Sequence, residues 1–254
     1  MSGRRSFLSS VLVLLLAGGC AVGIRARREP VSEPARAAIA LLVERWHAFS
    51  DLRALADIVI TRRGERQRFN GVLLAKAPDS LRFEALSPFG APLLVMTIHR
   101  EKLIAYNAAT NEATVGTANA ETAAKMLSLA VDPDDAVAVL AGRTVIPKDL
   151  RVAEILPPDA YGPSLDLIGG LHRQRVWMDF TTGVVSRLEI VGGRYAARVV
   201  FQRDGDTLKG LDLDAAEGFV TATIRYQNLV LDGGIDDERF EFVIPKGAKT
   251  QPLR

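Results

Sequence analysis

In the run Leu81–Leu86 the side chains alternate, with Leu81, Phe83 and Ala85 on one face and Arg82 and Glu84 on the other. A period of two over a short run marks a half-buried β-strand. Ala54–Arg62, Arg68–Lys76, Leu93–His99, Leu103–Asn107 and Ala113–Thr117 are further short runs of strand character, separated by turn residues such as Arg63-Gly64, Pro78-Asp79 and Ser87-Pro88-Phe89-Gly90. A second series follows: Arg175–Phe180, Val184–Val191, Arg194–Arg203, Thr207–Asp214 and Phe219–Leu231. Thr182-Gly183 and Asp204-Gly205 stand at hairpin positions within it. Phe240–Ile244, before Pro245-Lys246-Gly247, is expected to be the last strand. The spacing predicts about twelve strands in an antiparallel meander.

Three segments change the period from two to that of a helix. Between about Pro34 and Phe49, the residues Ile39, Leu42, Val43, Trp46 and Phe49 share one helical face, and proline suits the first turn. Asn119 is placed to cap a second helix through Glu121, Met126 and Leu127. Asp132-Pro133-Asp134-Asp135 supplies a cap, a proline and two acids for a third, which carries Val137, Val139 and Leu140 and ends at Gly142. Between Val145 and Gly170, the prolines 147, 157, 158 and 163 predict an irregular, inserted segment without long regular elements.

In the cleaner strands one face is apolar. Val176, Met178 and Phe180 oppose Trp177 and Asp179; Leu188 and Ile190 oppose Arg187 and Glu189; Ile224 and Tyr226 oppose Thr223 and Arg225. One apolar face on a single sheet must be covered. Three short helices are a modest cover for about twelve strands. Either the sheet curls over a filled core, or the helices form a partial lid over a hollow.

The N-terminus carries a separate message. Arg4 and Arg5 precede an apolar run from Phe7 to Ala17, shorter than the ~20 residues that span a bilayer. Leu16-Ala17-Gly18-Gly19-Cys20 follows and resembles a bacterial lipobox, whose cysteine is diacylated after the signal is cut. Cys20 is the only cysteine of the chain, so no internal disulfide competes for it. Two or more acyl chains hold a protein stably on a membrane. Ala21 stands where aspartate favours inner-membrane retention in enteric lipoproteins, which points to the periplasmic face of the outer membrane. Residues 1–19 are thus expected to be a signal peptide, 20–34 an anchor and linker, and 35–254 one domain.

Hydrophobic residues make up 48% of the 254 and charged residues 24%, which excludes a largely disordered chain. Loss of residues 1–19 removes Arg4 and Arg5 and no acid, leaving 30 basic and 30 acidic residues. That balance argues against nucleic acid as a partner. Arg25, Arg27 and Arg28 are the one basic cluster beside the anchor, where each can add ~1 kcal/mol of attraction to anionic head groups.

A wider resemblance rests on order and character. Pro88-Phe89-Gly90 ends a strand; two strands follow; then come Glu121–Leu127 and Pro133–Gly142, and near the C-terminus Phe240-Glu241-Phe242-Val243-Ile244-Pro245-Lys246-Gly247. This order resembles the LolA/LolB family of lipoprotein carriers and outer-membrane lipoprotein receptors. The resemblance implies a mainly β fold with α elements, an unclosed antiparallel β-barrel of about 11–12 strands capped by short helices. It implies an interior that takes acyl chains of lipoproteins or other lipids, with a periplasmic LolA-like carrier as a partner and transfer without covalent chemistry. A chain of sixteen carbons buried there is worth about 12 kcal/mol.

Leu81, Phe83, Leu94 and Met96 from the first strands would line that interior. Met126, Leu127 and Leu140 would do so from the helices. Val176, Met178, Phe180, Leu188, Ile190, Ile224 and Tyr226 would do so from the second series. The turn Pro88-Phe89-Gly90 would touch membrane or cargo, with Phe89 where the receptors carry an exposed leucine. An envelope protein-interaction or stress-sensing module on the same fold is the other function open at this point.

Motifs for chemistry are few. The sequence has no Gly-x-Ser-x-Gly elbow and no phosphate loop. His47, His99 and His172 share no ligand spacing, so neither a metal nor another cofactor is expected, and no catalytic residue is assigned. The acids Asp134-Asp135 and Asp236-Asp237-Glu238 read as a helix start and a turn.

Overall fold

A computed structural model of the chain describes residues 30–127, 131–192, 196–215 and 219–253. The signal segment, Cys20 and the arginines 25, 27 and 28 lie outside the described residues, as does the side chain of Leu127.

Helix α1 spans Glu33–His47, with Pro34 in its first turn and the Ser32 hydroxyl accepting from the Ala35 N–H at 3.4 Å. Six strands follow: β1 Asp51–Arg62, β2 Glu65–Lys76, β3 Ser80–Leu86, β4 Pro92–His99, β5 Lys102–Asn107 and β6 Glu112–Thr117. Then come α2 Ala120–Leu127 and α3 Pro133–Leu140. The second half is β7 Val152–Asp159, β8 Gly162–Ile168, β9 Arg173–Met178, β10 Val185–Val191, β11 Ala197–Asp204, β12 Thr207–Ala215, β13 Val220–Leu231 and β14 Lys249–Pro252.

All fourteen strands belong to one sheet, ordered β14-β6-β5-β4-β3-β2-β1-β13-β12-β11-β10-β9-β8-β7. Each pairing is antiparallel except β14 on β6. The sheet does not close, because β7 and β14 are its two outer strands. Residues 30–32 bond to Ala153 of β7, and Lys249–Pro252 forms β14.

The inner face and the helices enclose two apolar clusters. One joins Ala35, Ala38 and Leu42 of α1 to Leu165, Val176, Leu188, Val199 and Leu211. The other joins Val137 and Ala141 at α3 to Leu52, Ile58, Leu73, Leu81 and Ile98. Leu140, Ile224, Tyr226 and Leu229 belong to both, so the seam between them runs under α3. Each fully buried aliphatic side chain contributes roughly 1.5–3 kcal/mol. Gly71 makes room inside the second cluster. A Cβ there would lie 2.9 Å from both Ile58 Cδ1 and Phe83 Cε2, and without it Phe83 packs against Phe69 at 5.6 Å.

Several expectations need correction. The proline-rich segment is not irregular but forms the β7–β8 hairpin. Its prolines are tolerated because Pro157 and Pro158 lie on the outermost strand, where a register shift follows Leu156. Trp177, on the face opposite the apolar one, is nonetheless only 2% exposed. On the outer face Arg175 lies 4.3 Å from its ring, and its indole N–H donates to Asp159. Val43 is exposed, while Ala35 and Ala38 make the α1 contact instead. Asp132 bonds the Ala120 N–H at 3.1 Å, tying α3 to α2.

The C-terminus differs from the expected strand at Phe240–Ile244. Asp51, 2% exposed, accepts from the N–H groups of Gly233 and Gly234 at 3.0 and 3.1 Å and turns the chain after β13. A 3-10 turn at Asp237–Phe240 follows. Phe240, fully buried, stacks on His99 at 6.0 Å, and Phe242 packs on Tyr106 at 5.5 Å. Arg82 donates to the carbonyls of Arg239 and Glu241, both at 3.0 Å. Arg82 points away from the Leu81–Phe83 face, so this strap crosses the outer surface of β3–β5.

Candidate functional site

Strand direction gives the sheet two ends. The turns β1–β2, β3–β4, β5–β6, β8–β9, β10–β11 and β12–β13 lie at one end, together with the start of β7. The chain joins the fold there: Ala153 donates to the Pro30 carbonyl at 2.8 Å, and Ser32 donates to the Ala153 carbonyl at 3.1 Å. Six of the ten large apolar side chains exposed among the described residues cluster at this end: Phe89, Leu93, Leu94, Leu171, Val191 and Phe219.

Phe89 is 98% exposed. Its turn is stiff: Gly90 donates to the Ser87 carbonyl at 2.9 Å, Ser87 donates to the Ala91 carbonyl at 2.8 Å, and the Ser87 hydroxyl accepts from the Ala91 N–H at 3.1 Å. Pro88 fixes one corner and Gly90 adopts φ +82°, a left-handed value open to glycine. An aromatic ring held this way cannot fold back onto the core. Arg62, Arg63 and Arg66 are exposed on the neighbouring β1–β2 turn, with Glu65 among them.

The structure brings most of the expected interior residues together. Leu81, Phe83, Met96 and Met126 pack into the cluster under α3. Val176, Met178, Phe180, Leu188 and Ile190 pack into the cluster under α1. Leu140, Ile224 and Tyr226 join the two. Leu94 is the exception: it is 37% exposed and belongs to the apolar end. Its position near the tip of β4, beyond the reach of the helices, explains this.

Two open cavities lie at the opposite end. One, of about 330 Å³, is bounded by Arg45, Arg143 and Arg203, by Asp206 and Thr207, and by Leu208, Leu229 and Leu231. The other, of about 420 Å³, sits between Leu41, Glu44, Arg45 and Ala48 of the α1 end and the β9–β10 turn at Thr181 and Thr182. Sequence reasoning did not find the arginines. They are far apart in the chain, and only the fold makes them neighbours.

The histidines do not form a site. His47 and His99 lie at the end with the cavities and His172 at the apolar end. Ser80 Oγ lies 2.9 Å from His99 Nδ1, but Ser80 is buried and Phe240 covers the ring. Asp135 in the first turn of α3 is unusual. Burial, then the charges of Asp134 and Asp132, push its carboxyl up to about 7, while Lys148 works against them.

No family model and no curated protein sequence matches the chain. Solved structures do match its fold. A candidate outer membrane lipoprotein-sorting protein domain from Vibrio parahaemolyticus superposes with a TM-score of 0.56 at 12% identity, over 81% of this chain and 97% of that one. A LolA superfamily protein from Nitrosomonas europaea gives 0.55 at 11% identity, over 82% and 97%. The fold is LolA-like. A DUF1329 family protein from Desulfovibrio piger shares it, with a TM-score of 0.60 at 16% identity over 83% and 98%. The LolA-like chain thus spans nearly the whole of each neighbour, with the helices over the inner face of an open sheet.

Proposed function

We propose that this protein is a lipid-anchored lipoprotein that binds acyl chains between its sheet and its helices. It would accept or pass on lipoproteins or lipids at the periplasmic face of the outer membrane. One observation carries the reading: the exposed apolar residues gather at the end where the chain arrives from Cys20. The ten residue steps from Cys20 to Pro30 reach at most roughly 36 Å, so this end can face the bilayer. Phe89 then inserts shallowly, and the arginines of the β1–β2 turn meet anionic head groups.

The apolar seam beneath α3 is the place for an acyl chain. It already holds Met96 and Met126, whose flexible thioethers repack at little cost. Acyl uptake would displace these side chains and lift α3. A periplasmic carrier of the same fold is the natural donor, since both proteins would offer the chain the same apolar surroundings.

The test is transfer of an acylated lipoprotein from a soluble carrier to vesicles bearing the full-length protein. Phe89→Glu should abolish delivery while uptake of a fluorescent acyl probe persists. Failure of the wild type to take up any acyl probe would overturn the reading. A stable protein partner without lipid would instead favour an interaction module.

A further inference from the structure

The rim opposite the apolar end concentrates positive charge without neutralising it. Arg45 donates to the Thr182 carbonyl at 3.2 Å, and Arg143 donates to the Arg45 carbonyl. Arg203 donates to the carbonyls of Val185, Asp206 and Gly142, at 3.1, 3.1 and 2.8 Å. Every one of these acceptors is a neutral backbone oxygen. Among the described residues no carboxylate forms an ion pair with any of the three, although Asp206 borders the cavity and Asp232 stands within electrostatic range of Arg143.

Several donors remain unspent. A guanidinium has five N–H groups, and Arg45 uses one of them. The buried Arg143 Nε has no partner. Burial, followed by the Arg45 charge, pushes both Arg143 and Arg203 below the ordinary arginine value, with Asp232 and Asp206 acting against it; the Phe49 ring lies 5.1 Å from the Arg143 guanidinium. The local backbone is shaped to hold it. Gly142 ends α3 at φ +68°, and a Cβ there would lie 2.7 Å from Arg203 Nη2 and 3.1 Å from Leu208.

We propose that this rim is a phosphate-binding subsite in which Arg45, Arg143 and Arg203 hold the phosphate of an anionic amphiphile. Planar forks suit phosphate oxygens, and two or three converging on a half-enclosed cavity of about 330 Å³ can hold one group from several sides. The apolar part of the lining decides the kind of molecule. It includes Leu208, Leu229 and Leu231, and Leu229 belongs to both inner clusters. A phosphate at the rim therefore has an apolar path leading inward, as a phospholipid requires and free phosphate does not. This inference rests on the acyl-binding reading for the tail and on the arginines for the head.

Isothermal titration of the full mature chain in a non-ionic detergent tests it with three probes: dihexanoylphosphatidylglycerol, dihexanoylglycerol and inorganic phosphate. The wild type should bind the phosphatidylglycerol at least about tenfold more tightly than the neutral diglyceride. Arg45→Gln and Arg203→Gln should each remove most of that preference and leave diglyceride binding unchanged. Arg45 is half-exposed with one carbonyl bond, so its variant keeps the fold, which thermal melting checks. Equal binding of both amphiphiles overturns the phosphate subsite and leaves the acyl reading standing. Arginine-dependent binding of inorganic phosphate with neither amphiphile bound overturns the acyl reading and assigns the rim to free phosphate. Arginine variants that bind all three probes like the wild type overturn the proposal outright.

Discussion

The hydroxyl of Tyr226 donates a hydrogen bond of 2.6 Å to the carbonyl of Leu140, joining the floor of the sheet to the last residue of α3. Both residues stand where the two apolar clusters meet. Burial pushes the phenol above its ordinary value, so it stays a neutral donor at any working pH. The bond holds α3 down over the seam. Tyr226→Phe should cost about 1 kcal/mol of stability, speed amide exchange in Val137–Leu140, and raise the rate of acyl-probe uptake. Unchanged exchange in α3 would show that the bond holds nothing closed.

Phe89 has almost no contact to lose. Phe89→Glu should therefore leave stability within about 0.5 kcal/mol of the wild type. Its effect should fall on membranes. Loss of one inserted ring, worth roughly 1.5–3 kcal/mol, lowers vesicle affinity by about ten- to a hundredfold. Sedimentation with vesicles checks this, preferably on a chain in which Cys20→Ser removes the anchor.

Asp135 makes stability depend on pH in an unusual direction. Its carboxyl is raised from 3.8 to about 7, so between those values the folded chain keeps a proton that the unfolded chain has lost. Stability should then fall as pH rises through this window, and stay lowered above it. Asp135→Asn removes the penalty. The variant should melt higher than the wild type by at least about 2 °C at pH 8 and show little difference near pH 4. An equal shift at both pH values would refute the assignment.

Phe240 pins the strap. Phe240→Ala should cost about 3–5 kcal/mol if the site does not collapse. The strap should loosen before the sheet does, because its other ties are side-chain contacts to Lys76, Arg82, Arg100, Tyr106 and Asn111. Limited proteolysis between 241 and 248 reads this directly.

Much of the sheet was legible because its signals are local. Leu81–Leu86 alternates cleanly, and Asp204-Gly205 closes a hairpin that pairs Asp204 with Thr207. Asn119 caps α2 as its position implies, accepting from Thr122 at 2.9 Å. Failures came where long-range packing overrides local rules. Pro157 and Pro158 argue against a strand, yet an outermost strand has one side that needs no donor. Trp177 alternates with apolar neighbours onto the face away from the core, and Arg175, Tyr161 and Asp159 bury it there. Phe240 has the spacing of a strand residue, and its partner His99 lies far away in the chain. The rim arginines were illegible for the same reason: Arg203 reaches Gly142 across 61 residues.

The first described residues run beside β7, and the last strand runs beside β6. An open sheet normally presents two rows of unpaired amides, each a template on which a stray chain can grow. Here residues 30–32 meet the start of β7 at Ala153, and the short β14 covers β6. Trimming the back would bare the edge of β6, so a version shortened after Gly247 should clump even though its greasy middle is intact. The last strand acts as a stopper.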